Sequence, residues 1–175
     1  KWPFDKFLYA KRELGSRMKA TGEVMAIGTS FEQAIMKAVR GAEIGLDTLN
    51  HAKFEPMSAD ELRTEIGKMT DERLFAVYAA LKKGIPVEEI YAVTKIDEWF
   101  LCKLKNLVDY EAAITGKKLS RTQYLEGKRL GYPDKALARF SGEKLPSHRR
   151  AVFKMVDTCA AEFAAKTPYF YSTYD

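Results

Sequence analysis

The sequence predicts an all-α fold, a compact orthogonal bundle of short helices with extended segments at both ends. Three observations carry that prediction. Thr94 to Gly116, TKIDEWFLCKLKNLVDYEAAITG, repeats apolar residues at Ile96, Phe100, Leu104, Leu107 and Ile114, widened by Trp99, Leu101 and Val108. This is the period of a helix covered on more than one side. Around it lies a series of short segments, each with its own start and stop signals, joined by turns of roughly two to six residues. Apolar residues make up 46% of 175 positions, which suffices for one real core.

In chain order, Lys1 to Leu14 mixes Trp2, Phe4, Phe7, Leu8 and Tyr9 with charges, and aromatics at this density are expected to pack on something beyond the segment. Ser16 to Gly28 reads as extended, with a short strand through Val24, Met25 and Ile27; Lys19 and Glu23 there read as a solvated ion pair. From Thr29 the period becomes helical: Phe31, Ala34, Ile35, Ala38, Val39 and Ala42 share a face, Thr29 with Glu32 forms a capping box, and the helix runs to about Glu43. A loop holds His51, Phe54 and Pro56. Ser58 with Glu61 opens a helix carrying Leu62, Ile66 and Met69, and Thr70 caps the next, with Leu74, Val77, Tyr78 and Leu81 inward and Gly84 as its stop. Pro86 precedes a brief helix, Val87 to Val93, that hands over to the central one, whose start is assigned to a box of Thr94 and Asp97 and whose end to Gly116. Trp99 and Phe100, its largest apolar side chains, are expected to be core residues whose truncation costs roughly 3–5 kcal/mol. Ser120 and Gln123 then cap a helix ending at Gly131, and Pro133 begins another with Ala136, Leu137 and Phe140 inward and Gly142 after it. Beyond Pro146 the pattern breaks, and Phe153 to Asp175 reads as extended.

Composition narrows the function classes. No apolar run approaches the roughly 18–20 residues of a membrane span, and no charged-then-apolar leader opens the chain, so a soluble, cytoplasmic protein is expected. Cys102 and Cys159 make no disulfide framework and read as reduced, partly buried thiols; with two histidines there is no zinc cluster. The net charge of +5 raises nucleic-acid binding. Yet the richest region, Lys117 to Arg150, mixes its cations with Asp134 and Glu143 as a solvated face does.

No P-loop, GxGxxG, HExxH, GxSxG or paired-Cys motif occurs. Asp157, Thr158, Cys159 and Glu162 are the tempting group. A nucleophilic Cys159 needs a base, and neither His51 nor His148 is near in sequence; Asp157 and Glu162, five residues apart on extended chain, point to opposite faces. No catalytic, cofactor-binding or metal-binding residue is assigned.

Four strings carry a family resemblance: MKATGEVMAIG (Met18 to Gly28), KAVRGAE (Lys37 to Glu43), KIDEWFL (Lys95 to Leu101) and VDTCAAEFAAKTPYFYSTYD (Val156 to Asp175). Together they resemble, nearly end to end and in order, the middle portion of the large subunit of the carbamoyl phosphate synthetases. The last string is the most specific. The resemblance implies a helical oligomerisation domain lying between two homologous ATP-grasp synthetase halves. Residues 1–28 would be the trailing edge of the first half, 29–155 the helical domain, and 156–175 the leading segment of the second. In that family the first half phosphorylates bicarbonate and combines it with ammonia from a glutaminase small subunit; the second phosphorylates the resulting carbamate. Both use ATP with magnesium, a chemistry of arginine and pyrimidine biosynthesis. Glu143 to Ala151 departs from the family pattern, being short and interrupted by Pro146 where a longer charged helix is usual.

The function expected is that of a non-catalytic spacer that positions the two halves and self-associates. The parent would be an ATP-dependent ligase, the chain alone inactive, its partners the flanking synthetase domains and the glutaminase subunit. The alternative is a basic helical module that binds nucleic acid or an acidic partner.

Overall fold

Among the described residues seven helices and one two-stranded sheet follow each other: α1 Phe31–Gly41, α2 Ala59–Gly67, α3 Arg73–Lys82, α4 Val87–Thr94, α5 Glu98–Ile114, α6 Arg121–Arg129, α7 Asp134–Ser141, β1 Val152–Met155 and β2 Phe170–Thr173. The structure, a computed structural model, describes residues 9, 11–17, 22–146 and 148–174. The expectations for Trp2, Phe4, Phe7, Leu8 and Lys19 lie outside the described residues.

α5 is the axis of the bundle, in contact with α1, α3, α4 and α7, while α2 packs on α3 and α4 and α6 on α7. It buries Leu101, Leu104, Leu107, Val108, Tyr110 and Ile114. Those residues meet Met36 and Val39 of α1, Phe75 to Leu81 of α3, Ile90 of α4 and Leu137 of α7 in one continuous core. The loop before α2 joins it through Leu49 and Phe54. α6 can approach α5 only because residue 127 is glycine: a Cβ there would lie 2.2 Å from the Tyr110 hydroxyl and 2.8 Å from Leu137.

Trp99 and Phe100 are not core residues. They are 53% and 43% exposed, although Leu101 in the same turn of α5 is 0% exposed, because they lie on the side of the helix away from the core. There they cluster with Phe31, at ring distances of 5.6 and 5.3 Å. Cys102, on the outer side of the same helix, is exposed, and both cysteines are free.

Local signals decide the helix ends unevenly. Ser58 with Glu61 and Ser120 with Gln123 form complete capping boxes. Thr94 does not cap α5: it ends α4, its hydroxyl donating to Ile90 O at 2.7 Å, and Lys95 follows in the left-handed region at φ 58°. Asp97 is the cap, accepting from Trp99 N at 2.8 Å. α1 likewise starts one residue later than expected, with Ser30 accepting from Gln33 N while the Gln33 side chain accepts from Thr29 N. Glu32, freed from that role, is buried against Asn106 and Lys103. Thr70 forms an isolated bridge with Glu13, and α3 begins at Arg73 without a side-chain cap.

Two faces also depart in part from expectation. Of the expected face of α1, Val39 is buried and Phe31 and Ile35 pack against the core, but Glu32, Gln33 and Met36 are the other buried residues. Ile35, Ala38 and Ala42 also line an open groove of about 610 Å³ with Val24, Leu74 and Phe75. Met69 is 54% exposed. Residues 22–28 form no strand, and among the described residues beyond Pro146 the paired strands are Val152–Met155 and Phe170–Thr173, antiparallel with Val152 opposite Thr173 and Met155 opposite Phe170.

Candidate functional site

The seam where the chain enters and leaves the helical body carries a cluster of polar contacts. On the exit side, Lys128 of α6 is 5% exposed. Burial of an ammonium is tolerable only with a partner, and Asp134, first residue of α7, supplies it at 2.8 Å. The same carboxylate accepts from the Tyr124 hydroxyl at 3.0 Å and meets His148 Nδ1 at 2.7 Å. Burial alone would raise the Asp134 carboxyl, but the hydrogen bond and charge of Lys128, with His148 and Tyr124, hold it below its ordinary range. Burial, opposed by the bond to Arg149 and reinforced by Asp134, pushes the Tyr124 phenol up. Tyr124 Oη accepts from Arg149 N at 3.1 Å, and the Lys128 ammonium lies 4.8 Å from the Tyr174 ring. The link between α7 and β1 and the end of β2 are thereby fixed to one carboxylate and one ammonium.

On the entry side, α1 presents two cations one turn apart. Lys37 Nζ donates to Ile27 O at 2.8 Å and to Ser172 O at 2.5 Å. Arg40 donates to Gly131 O at 2.8 Å. Burial lowers the pKa of both side chains; for Lys37 the neighbouring Arg40 adds to the effect, and for Arg40 the charge of Asp47 partly opposes it. The string KAVRGAE carries both residues, but nothing in its period separates a cation that reaches back over carbonyls from one that points to solvent.

The contacts of the seam run to backbone carbonyls, to one carboxylate and to an aromatic ring. Asp157, Cys159 and Glu162 sit in a turn between the strands, not on extended chain. Asp157 accepts from Cys159 N and Ala161 N at 2.9 and 2.8 Å, and Ala160 and Ala161 adopt positive φ. The atom recorded within reach of Cys159 Sγ is the Thr158 hydroxyl, at 3.9 Å. His51 stacks 5.4 Å from both Phe54 and Phe75 at the mouth of a cleft of about 300 Å³, and His148 is held by Asp134. Among the described residues no group of three or more His, Cys, Asp or Glu converges, and no helix is long and apolar enough to cross a membrane.

Two apolar surfaces flank the seam. One is the cluster of Phe31, Trp99 and Phe100. The other is a face of the β1–β2 hairpin: Phe153, Met155 and Phe170 share it by register and are 72%, 42% and 61% exposed. Some of the cations pair with carboxylates, as in Arg12 with Asp71, Arg63 with Glu89 and Arg139 with Asp47, and none of these contacts favours the basic-module alternative.

Residues 23–155 match the family model described as carbamoyl-phosphate synthetase large chain, oligomerisation domain. Over its whole length the chain is 44% identical to proteins named carbamoyl phosphate synthase large chain from Lachnoclostridium phytofermentans, Methanothrix thermoacetophila and Methanobrevibacter smithii. It spans 17% of the length of each.

Proposed function

The chain belongs to the oligomerisation-domain family of the carbamoyl-phosphate synthetase large chain, and on that premise we propose that it acts as a non-catalytic helical spacer between two synthetase halves. Residues 1–28 then close the first half, 29–155 form the spacer, and 156–175 open the second. The first half activates bicarbonate with ATP and magnesium and captures ammonia delivered by a glutaminase subunit; the second phosphorylates the carbamate, in the cytoplasm. The spacer's contribution is positional. Carbamate is unstable in water, and holding two distant sites in one fixed arrangement keeps its route closed to bulk solvent.

The observation that carries this reading is the seam. Half-buried Lys37 of α1 donates to a carbonyl of the entering segment and to one of the departing hairpin, and buried Lys128 of α6, paired with Asp134, lies against the Tyr174 ring. The hairpin face of Phe153, Met155 and Phe170 is then the start of a larger sheet or its cover, since a two-stranded ribbon is marginal alone. Self-association falls to the helical body, where Phe31, Trp99 and Phe100 offer an apolar patch. Light scattering on the purified chain across a concentration series tests this: the mass is expected to rise above 19.9 kDa. A mass that stays at the monomer value throughout removes the association half of the proposal.

A further inference from the structure

We propose that Lys37 is a positioning residue that registers the two synthetase halves against each other through a single ammonium group. Its Nζ donates to the carbonyl of Ile27, 10 residues earlier, and to the carbonyl of Ser172, 135 residues later. An ammonium has three donors and no acceptor, so one group can serve both carbonyls at once. Bonds from a charged donor are shorter and stronger than neutral ones.

The stem of Lys37 is rooted in the rigid part of the molecule. Met36 and Val39 beside it are 0% and 5% exposed in the core, and α1 packs on α5. One turn on, Arg40 Nη1 ties the same helix to Gly131 O at 2.8 Å and to Asp47 O at 3.4 Å. α1 therefore cannot roll to follow either segment, and a shift of one segment acts directly on the bond to the other. The Tyr171 ring, 6.0 Å from Nζ, covers the ammonium from the β2 side. Burial and the charge of Arg40 both work against the ammonium, so the site retains a charged donor where an uncharged chain would be easier to bury.

This inference rests on the spacer reading of residues 1–28 and 156–175. It deepens that reading by naming the atom through which the halves share a reference. A small misplacement of reacting partners can cost orders of magnitude in rate. Coupling between the halves is therefore the property that should suffer, rather than the chemistry of either half.

The test uses the full-length large chain with ammonia as nitrogen source, comparing wild type with Lys37→Met, Lys37→Gln and Lys37→Arg. Met keeps the apolar stem without a donor, Gln is too short to span both carbonyls, and Arg restores a charged donor of sufficient reach. Three quantities are measured: bicarbonate-dependent ATP hydrolysis without ammonia, ATP formed from carbamoyl phosphate and ADP, and ADP released per carbamoyl phosphate made. Lys37→Met and Lys37→Gln are expected to keep both partial reactions within about twofold while ADP released per product rises at least about threefold; Lys37→Arg is expected to hold the wild-type ratio. A wild-type ratio in both Met and Gln variants overturns the inference and leaves the spacer reading intact. A rise shared equally by Lys37→Arg, or a loss of both partial reactions together, assigns the residue to general packing and also overturns it. A wild-type chain that makes no carbamoyl phosphate defeats the spacer reading and this inference with it.

Discussion

Glu111 shows how much one residue organises. It is 2% exposed and accepts from Tyr78 at 2.9 Å, Tyr132 at 3.1 Å, Asn50 at 3.0 and 3.1 Å, and Lys82 at 3.2 Å. Burial first, and then the neighbouring charge, pushes both phenols up, so they remain donors. Glu111→Leu removes the acceptor of the buried Tyr78 hydroxyl, while Lys82 keeps Asn50 Oδ1 and Tyr132 keeps Leu107 O, and should cost roughly 1–3 kcal/mol in urea unfolding; an unchanged stability would show the donors finding water instead. Asp47 illustrates the surface counterpart. Arg139 grips it with two bonds, at 2.7 and 2.8 Å, and these outweigh burial to hold its carboxyl below the ordinary 3.8. A depressed carboxylate stabilises above its unfolded value and loses that contribution as pH falls through the folded one. The stability difference between wild type and Asp47→Asn, about 0.2–1 kcal/mol for a partly exposed pair, should be present at pH 7, begin to fall near the ordinary value and vanish only below the depressed folded one. A difference that persists undiminished into strong acid would sink this account.

Among the elements, α5 has a buried face, which includes Leu101 of its first turn, and an exposed one that carries Trp99 and Phe100. Leu104, 2% exposed, should cost about 2–5 kcal/mol on truncation to Ala. Trp99 loses only about half its contact with solvent, so Trp99→Ala should cost on the order of 1 kcal/mol, half the value for a fully buried large side chain. Thermal melts of the two variants decide it, and equal losses would return Trp99 to the core. Caps were legible where a serine and its partner lie three apart with no competitor, at Ser58 and Ser120. They were misassigned at Thr94, whose hydroxyl has two backbone claimants, Ile90 O at 2.7 Å and Ile96 N at 3.1 Å. The α1 face was misread in part because Ile35, Ala38 and Ala42 also line the groove, whereas buried Glu32 and Gln33 look polar to any periodicity count.

For the whole molecule, the spacer proposal predicts that the isolated chain hydrolyses no ATP above background, with or without bicarbonate. Bicarbonate-dependent phosphate release from the purified chain would overturn it. The cluster of Phe31, Trp99 and Phe100 and the hairpin face share no residue with the Glu111 network, so association and stability should be separable by substitution.

The all-α bundle, its helix count and the absence of familiar catalytic motifs were determined by the sequence alone, because helical period, serine caps and glycine stops act over three or four residues. The family was legible for the same reason, as contiguous strings. Which apolar residues are covered, and which cation spans Ile27 to Ser172, was decided only in three dimensions. A helix shows a partner its face, but whether a partner stands there depends on elements that can lie more than a hundred residues away.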